Sequence, residues 1–412
     1  MAGQDDEPTP AGLPATGPAA SGRIESPPPA APPPPPPPPP VPVDGTLGAA
    51  APPPPLAPGA APPDAAAIVG TELRFEFRGN APEYFRIWIV NIALTVLTVG
   101  VFSAWAKVRR ERWFHGNTWV AGAPFEYLAQ PLPILKGRLI AVAVLAVYVL
   151  LGNVLPLAQP LLLVALGIAT PWLVLAGLRF RARYTAWRTL NFRFTGEIGE
   201  ALKAWLLMFM LVVPTLGLIV PYMKYLQRRF QVEEHRFGGA RFAFSAEPGA
   251  FYAVYLVGWV IAGVGAFAGG LLGSLMVGGL ASQTGGFDAD AAQVMTFGVV
   301  GLVYAGIFVG WVWIAVGVTN LTFNHATLGP HAFRSTLRRR DLLWLYLSNT
   351  GAILLSLGLL VPWAQVRMAR YRAAHLALFA RGDLDALRTE DRSRRGATGA
   401  ETADVFDVDL SL

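Results

Sequence analysis

Seven apolar runs divide this chain, centred on about 85–103, 138–153, 157–178, 199–220, 251–280, 294–318 and 341–361. A helix needs about 20 apolar residues to cross a bilayer, so each run is a candidate membrane segment. Between the runs, apolar and polar residues alternate around a turn signal. The stretches are "NTWVAGAPFEY" from Asn117, "YTAWRTLNFRF" from Tyr184, "EHRFGGARFAF" from Glu234 and "NHATLGPHAFRS" from Asn324. Alternation of period two about a turn predicts a β-hairpin. "LRFEFRGN" (Leu73 to Asn80) reads as a lone strand before the first run.

The runs contain a recurring hexamer: "GVFSAW" (Gly100 to Trp105), "GIATPW" (Gly167, Pro171, Trp172), "GLIVPY" (Gly217, Pro221, Tyr222), "GIFVGW" (Gly306, Trp311) and "GLLVPW" (Gly358, Pro362, Trp363). Their flanks agree. Seven residues after the aromatic stand Arg112, Arg179, Arg229 and Arg370, each followed by another aromatic; the fourth copy lacks this pair. Two residues before the glycine, copies one, three and five carry Thr98, Thr215 and Ser356. Nine before it, copies one and five carry Asn91 and Asn349. Self-similarity at this level marks an internal repeat. Glycine accepts unusual backbone angles and proline cannot continue a helix across itself, so the hexamer reads as a break where the chain turns. The hydroxyls of Thr98, Thr215 and Ser356 are placed to bond the backbone groups that a break frees. Each unit is therefore expected to run strand, helix, break, basic amphipathic helix, hairpin.

Charge then sorts the runs. Lys and Arg flank the first run (Arg74, Arg78, Arg86; Lys107, Arg109, Arg110), the fourth (Arg188, Arg193, Lys203; Lys224, Arg228) and the seventh (Arg338, Arg339, Arg340; Arg367, Arg372) on both ends. The connections "GNVLPLAQP" and "GGLASQTGGFDADAAQ" carry neither residue. Basic residues collect on the cytoplasmic side. Seven plain spans would divide them between the two sides. Four full spans with three re-entrant elements, made by runs one, four and seven, put all of them on one. The fold expected is an all-α polytopic membrane protein: about five degenerate helix–(Gly-x-x-x-Pro-Trp)–helix repeats with short cytoplasmic β-hairpins. Seven plain spans is the alternative.

Composition agrees with a membrane protein: 53% of residues are hydrophobic and only 15% charged, against about 25% charged in ordinary soluble domains. Cysteine is absent, which removes disulfides, thiolate nucleophiles and Cys-ligated metals. The net charge of +6 reads as a basic face beside anionic lipid rather than a nucleic-acid surface. Residues 1–70 are rich in Pro and Ala, with a run of prolines from Pro32 to Pro40, and form an expected disordered tail with polyproline-II character. That tail is also a candidate docking segment for a protein partner. Residues 71–380 form the membrane domain, and 381–412 a second polar tail.

The stretches "YFRIWIVNIALTVLTVGVFSAWAKVRRERWFHGNT", "RFGGARFAF" and "LGLLVPWAQVRMARYRAAHLAL" resemble the YjgN-like family of bacterial inner-membrane proteins, a domain of unknown function. The resemblance covers about residues 72 to 380. Tyr184 and Thr189 in the second hairpin depart from the Asn and Gly usual there. The family implies an inner (plasma) membrane location and supplies no activity to carry over.

Chemistry-bearing residues are few. Asn91 and Asn349 lie inside apolar runs, where polar side chains are costly and either bridge helices or line a polar path; with Thr98, Thr215 and Ser356 they form a candidate intramembrane polar site. Lys107, Arg112, Arg179, Lys224, Arg229 and Arg370 sit on basic, aromatic-rich helices suited to lipid headgroups. His235 and His325 read as matching hairpin positions, and Glu83 abuts the first run. No metal motif, phosphate loop or catalytic signature appears, so no enzyme, metal or cofactor is expected. Two readings follow: binding or transport of a small solute or lipid by pseudo-symmetric broken helices, or a scaffold recruiting cytoplasmic partners. The sequence leaves the oligomeric state open.

Overall fold

A computed structural model describes residues 70–382 and 384, apart from 156 and 287. The two expected tails lie almost wholly outside these residues. The described chain opens with β1 (Thr71–Arg74) and β2 (Glu76–Phe77) and then passes through five helical units. Unit one is α1 (Ala81–Leu97) and α2 (Ser103–Gly116), followed by β3 (Thr118–Val120) and β4 (Ala123–Tyr127). Unit two is α3 (Pro131–Val154) and α4 (Ala158–Arg183), followed by β5 (Thr185–Trp187) and β6 (Leu190–Phe194). The first leg of unit three is composite: α5 (Ile198–Ala201), a π-helical stretch Leu202–Leu207 and α6 (Met208–Met210). Its second leg is α7 (Val220–Glu233), before β7 (His235–Phe237) and β8 (Ala240–Phe244). Unit four is α8 (Pro248–Thr284) and α9 (Ala289–Asn324), followed by β9 (Ala326–Leu328) and β10 (His331–Ser335). Unit five is α10 (Arg339–Leu355) and α11 (Val361–Ala374), and β11 (Leu376–Ala380) ends the series.

The strands overturn the all-α expectation. Instead of standing apart as short hairpins, they join into one eleven-stranded antiparallel sheet in the order β1-β11-β10-β9-β8-β7-β6-β5-β4-β3-β2. Its two edges are the halves of a single segment, 71–77. The first half pairs with β11 (Thr71 opposite Ala380) and the second with β3 (Glu76 opposite Trp119). At the junction the Phe75 amide donates to the Leu376 carbonyl at 3.1 Å. The sheet thus closes on itself as a near-barrel. Isolated two-stranded hairpins are marginal in water and leave open edges; closure removes both problems. The sequence hid it because the joining pairs, such as Phe125 opposite Trp187 and Phe242 opposite Leu328, link strands that lie a whole helical unit apart.

Side chains of one face fill the barrel. Phe75, Phe125, Phe192, Phe242 and Phe333 occupy the same strand position in all five units, and Val120, Trp187, Phe237, Leu328 and Leu378 the matching position on the partner strands. The register also corrects the histidines. Gly238 and Gly329 are the equivalent turn residues, because Phe237 faces Ala240 as Leu328 faces His331. His325 therefore matches Glu234, and His235 matches Ala326, one residue on and on the other face.

The helical units are of two kinds. Units two and four are continuous helical hairpins, and their helices α3, α4, α8 and α9 are the four long and apolar enough to cross a membrane among the described residues. In unit four the helices touch through glycine, as close packing in membranes requires: a Cβ added to Gly306 would lie 2.2 Å from the Gly265 carbonyl carbon. In units one, three and five the two legs leave the sheet, turn sharply and come back. Each turn places two residues in the left-handed region: Val99 (φ 49) and Gly100 (φ 90), Leu216 (φ 51) and Gly217 (φ 83), Leu357 (φ 50) and Gly358 (φ 90). The glycine amide then bonds the carbonyl five residues back, at 2.7 Å from Gly100 to Thr95, 2.7 Å from Gly217 to Val212 and 2.8 Å from Gly358 to Ile353. This is the Schellman ending of a helix. Pro221 and Pro362 stand in the first turns of α7 and α11, where proline costs no hydrogen bond.

The five hexamers are therefore not five turns. Gly167, Pro171 and Trp172 lie within continuous α4, and Gly306 and Trp311 within continuous α9. One difference is two residues before the glycine. Thr98 Oγ1 accepts from the Phe102 amide at 2.9 Å, Thr215 Oγ1 from Ile219 at 3.3 Å and Ser356 Oγ from Leu360 at 3.0 Å, bridging each break to the residue that precedes the second leg. Units two and four have Ala165 and Tyr304 there, which offer no such bridge.

Two substitutions test these contacts. Gly306→Leu forces α8 and α9 apart and is expected to lower stability by about 1–3 kcal/mol through overpacking, read as a lower melting temperature in detergent. Thr215→Val keeps the shape of the turn but removes its bridging hydroxyl, and should cost about 1 kcal/mol with faster amide exchange at Ile219.

Candidate functional site

Units one and five share an inter-leg pin. Asn91 Nδ2 donates to the Ala106 carbonyl at 3.5 Å, and Asn349 Nδ2 to the Ala364 carbonyl at 3.4 Å. Unit three has Met208 at this place, and Gln227 Nε2 bonds the Ala204 carbonyl from the opposite leg at 3.2 Å. The two asparagines differ at their oxygens. Asn349 Oδ1 accepts from Arg367 Nη1 at 3.0 Å, and the same guanidinium donates to Ser348 Oγ at 2.6 Å. Asn91 is only 7% exposed, yet its Oδ1 has no partner among the described residues. A buried carbonyl oxygen left unpaired costs on the order of 1–3 kcal/mol, which sets Asn91 apart from its counterpart Asn349.

Asn91 also lines a cleft of about 500 Å³ between α1, α2 and α3, with its Oδ1 itself buried. Three cations line it: Lys107 and Arg110 from α2 and Arg138 from α3. Arg138 donates to the Ser103 hydroxyl, and Arg110 pairs with Glu111 at 2.7 Å. Thr95 lines the same wall with its hydroxyl donating to the Asn91 carbonyl at 2.6 Å. The remaining wall is apolar, with Trp88 beside Ile92 and Val96, the last 71% exposed. Asn349 lines a different cleft, of about 510 Å³, on the unit-five side. Arg110 borders both clefts. The asparagines are thus brought to neighbouring clefts and not to one shared path.

A family model described as a bacterial protein of unknown function, DUF898, matches residues 72–405. The chain belongs to this family. An inner membrane protein named YjgN from Salmonella typhimurium (strain LT2) is 29% identical over 154 residues, 36% of this chain and 36% of the relative. YjgN proteins of Escherichia coli O157:H7 and K12 are 26% and 28% identical over 145 and 121 residues, 35% and 29% of this chain and 36% and 30% of the relatives. The chain spans about a third of the length of the curated relatives it matches. No solved structure matches it. With four long apolar helices, this DUF898 chain fits a multi-pass membrane protein.

The family's basic helices hold a feature that sequence reading assigned differently. Arg112, Arg179 and Arg370, expected at lipid headgroups, donate instead to backbone carbonyls at the start of the next unit: Ala129 at 3.1 Å, Gly196 at 2.9 Å and Gly79 at 3.1 Å. In unit four Asn320 does the same to Leu337 at 3.0 Å. Arg229 is turned onto Glu233 at 2.9 Å. The spacing from donor to acceptor is 17 residues for Arg112, Arg179 and Asn320, and Arg370 reaches across to the first unit to close the ring. Of the six expected headgroup residues, Lys107 alone lines the cationic cleft, joined there by Arg110 and Arg138, which sequence reading had not singled out as headgroup contacts. Lys224 is half-buried on α7, away from it. The signal available in sequence was the constant offset from the arginine to the following helix start. Glu83, a bystander in the sequence, accepts from Trp113 Nε1 at 3.1 Å and fixes the base of the cleft's helices.

Arg370→Met should cost about 2 kcal/mol, the value of a hydrogen bond to a charged donor. Hydrogen exchange checks its location: protection should fall in 71–79 and 376–380, the strands that close the sheet, before it falls elsewhere.

Proposed function

We propose that this chain is a multi-pass protein of the bacterial inner membrane that holds an anionic amphiphile, a phospholipid with a net negative headgroup, in the cleft of unit one. The observation that carries this reading is the convergence of Lys107, Arg110 and Arg138 on a cleft whose other wall is exposed and apolar. Charge-assisted bonds to phosphate oxygens suit Arg and Lys, and acyl chains suit the exposed Ile92 and Val96. The names of the relatives support the inner-membrane location.

Every helical pair starts and ends at the sheet, so the sheet and its basic flanks share one side. The positive-inside rule puts that side in the cytoplasm. The chain has no cysteine, so single cysteines report cleanly. Gln283→Cys, in the last turn of α8, should react with an impermeant thiol reagent from outside, whereas Glu126→Cys, Asn191→Cys and Arg241→Cys on the sheet should not. Labelling of the sheet positions from outside would reverse the orientation.

Lipid binding is tested with purified full-length protein in mild detergent by native mass spectrometry. The wild type should retain phosphatidylglycerol over phosphatidylethanolamine. Changing both Lys107→Gln and Arg138→Gln should cut that retention about tenfold, equivalent to about 1.4 kcal/mol, while the fold stays intact. Equal retention of the two lipids by the wild type would sink the reading.

A further inference from the structure

The apolar face of the near-barrel carries a second, chemically distinct site. A partly open cavity of about 280 Å³ lies between that face and helices α7 and α9, ringed by the five unit-equivalent phenylalanines and Trp187, with Leu384 beyond β11 among its lining residues. Among the described residues no Asp, Glu, Lys or Arg lines it. The strand backbones that form its wall are spent in the ladder. Its polar residues are Gln231, Thr322 and His235, and Thr322 is already satisfied by the Val318 carbonyl at 2.7 Å. A buried water needs two to four polar partners, and apolar cavities of about 150 Å³ lined by Leu, Ile and Phe stay dry and take up benzene. This cavity is nearly twice that size, about right for two fused rings, and its aromatic walls favour edge and face contacts with a flat aromatic guest.

His235 adds direction. Its Nδ1 faces the Gln231 carbonyl; a carbonyl only accepts, so Nδ1 carries the proton and donates. Burial pushes the ring's pKa below the ordinary histidine value, with Arg181 acting in the same direction and the Gln231 carbonyl opposing, so the ring is neutral at pH 7. In that tautomer Nε2 is an acceptor, and the one hydrogen bond of the ring among the described residues is made by Nδ1. We infer that the barrel is a binding site for a small, uncharged, planar aromatic molecule of about two fused rings carrying one hydrogen-bond donor, with the donor directed to His235 Nε2. The site is separate from the cationic cleft: it takes a neutral ring where the cleft takes an anionic headgroup.

The probes are naphthalene, which has the shape alone, and 2-naphthol, which adds one donor. They are titrated into full-length protein in detergent, with empty micelles subtracted for partition, and read by the shift in melting temperature and by calorimetry. Both should bind saturably, 2-naphthol about tenfold tighter. His235→Phe should erase the difference and leave naphthalene binding within twofold. Ala326→Leu, which fills the cavity from β9, should abolish both. Absence of saturable binding by wild-type protein overturns the site, and so does binding that survives Ala326→Leu. A preference for 2-naphthol that survives His235→Phe overturns the role of the histidine. The wild-type titration needs no variant to fold, so the proposal stands or falls even if a substitution destabilises the chain. Phosphatidylglycerol retention is measured on the same samples and is expected to be unchanged, which separates this site from the cleft.

Discussion

Segment 71–77 is hydrogen-bonded on both sides, to β11 through its first half and to β3 through its second. Everything else depends on that double pairing. A sheet whose two edges are halves of one short segment leaves little edge free, and each of its strands has a fixed place in the series. Once the ring is fixed, any excursion of the chain into the membrane has to begin and end on the same side. The helix pairs that leave the ring are of two kinds, two continuous pairs long and apolar enough to cross a membrane and three shorter pairs that turn sharply.

Two features separate them. Units two and four share the Gly-x-x-x-x-aromatic hexamer with the other three but keep continuous helices through it; they are longer, Pro131–Arg183 and Pro248–Asn324 against Ala81–Gly116 in unit one, and lack a hydroxyl two residues before the glycine. Thr98, Thr215 and Ser356 supply the acceptor that bridges the break, and Ala165 and Tyr304 do not. The glycine permits the turn and the hydroxyl makes it worthwhile. At Val99, Leu216 and Leu357 the turn also holds non-glycine residues at positive φ, each more than 90% exposed. An apolar side chain carried at the tip of a turn is unwelcome in water and comfortable among acyl chains.

Much of this was legible in the sequence, but unevenly. The division into four long spans and three broken elements follows from where the arginines and lysines fall, because the bilayer imposes that rule globally. The hairpins follow from local alternation. Their closure into one sheet does not, because Phe125 meets Trp187 and Phe333 meets Leu378 across intervening helices, and no local pattern encodes such partners. Arg112, Arg179 and Arg370 show the same limit: a basic residue beside an aromatic at a membrane helix end reads as a headgroup contact, and only coordinates reveal that a backbone carbonyl has taken it. Asn91 and Asn349 were recognisable as equivalent, yet their difference lies in one acceptor bond, made by Arg367 to Asn349 and made by nothing to Asn91.

The double pairing also orders events in time. Residues 71–77 are among the first of the domain to be synthesised, and one of their two partners, β11 at Leu376–Ala380, is the last strand. Until that strand emerges the growing sheet keeps two open edges. Contacts this far apart in sequence form late and slowly. The membrane helices are therefore laid down while the sheet that will hold them is still unclosed, and a chain cut short before Leu376 is left with an unpaired β10 edge free to recruit a strand from a neighbour.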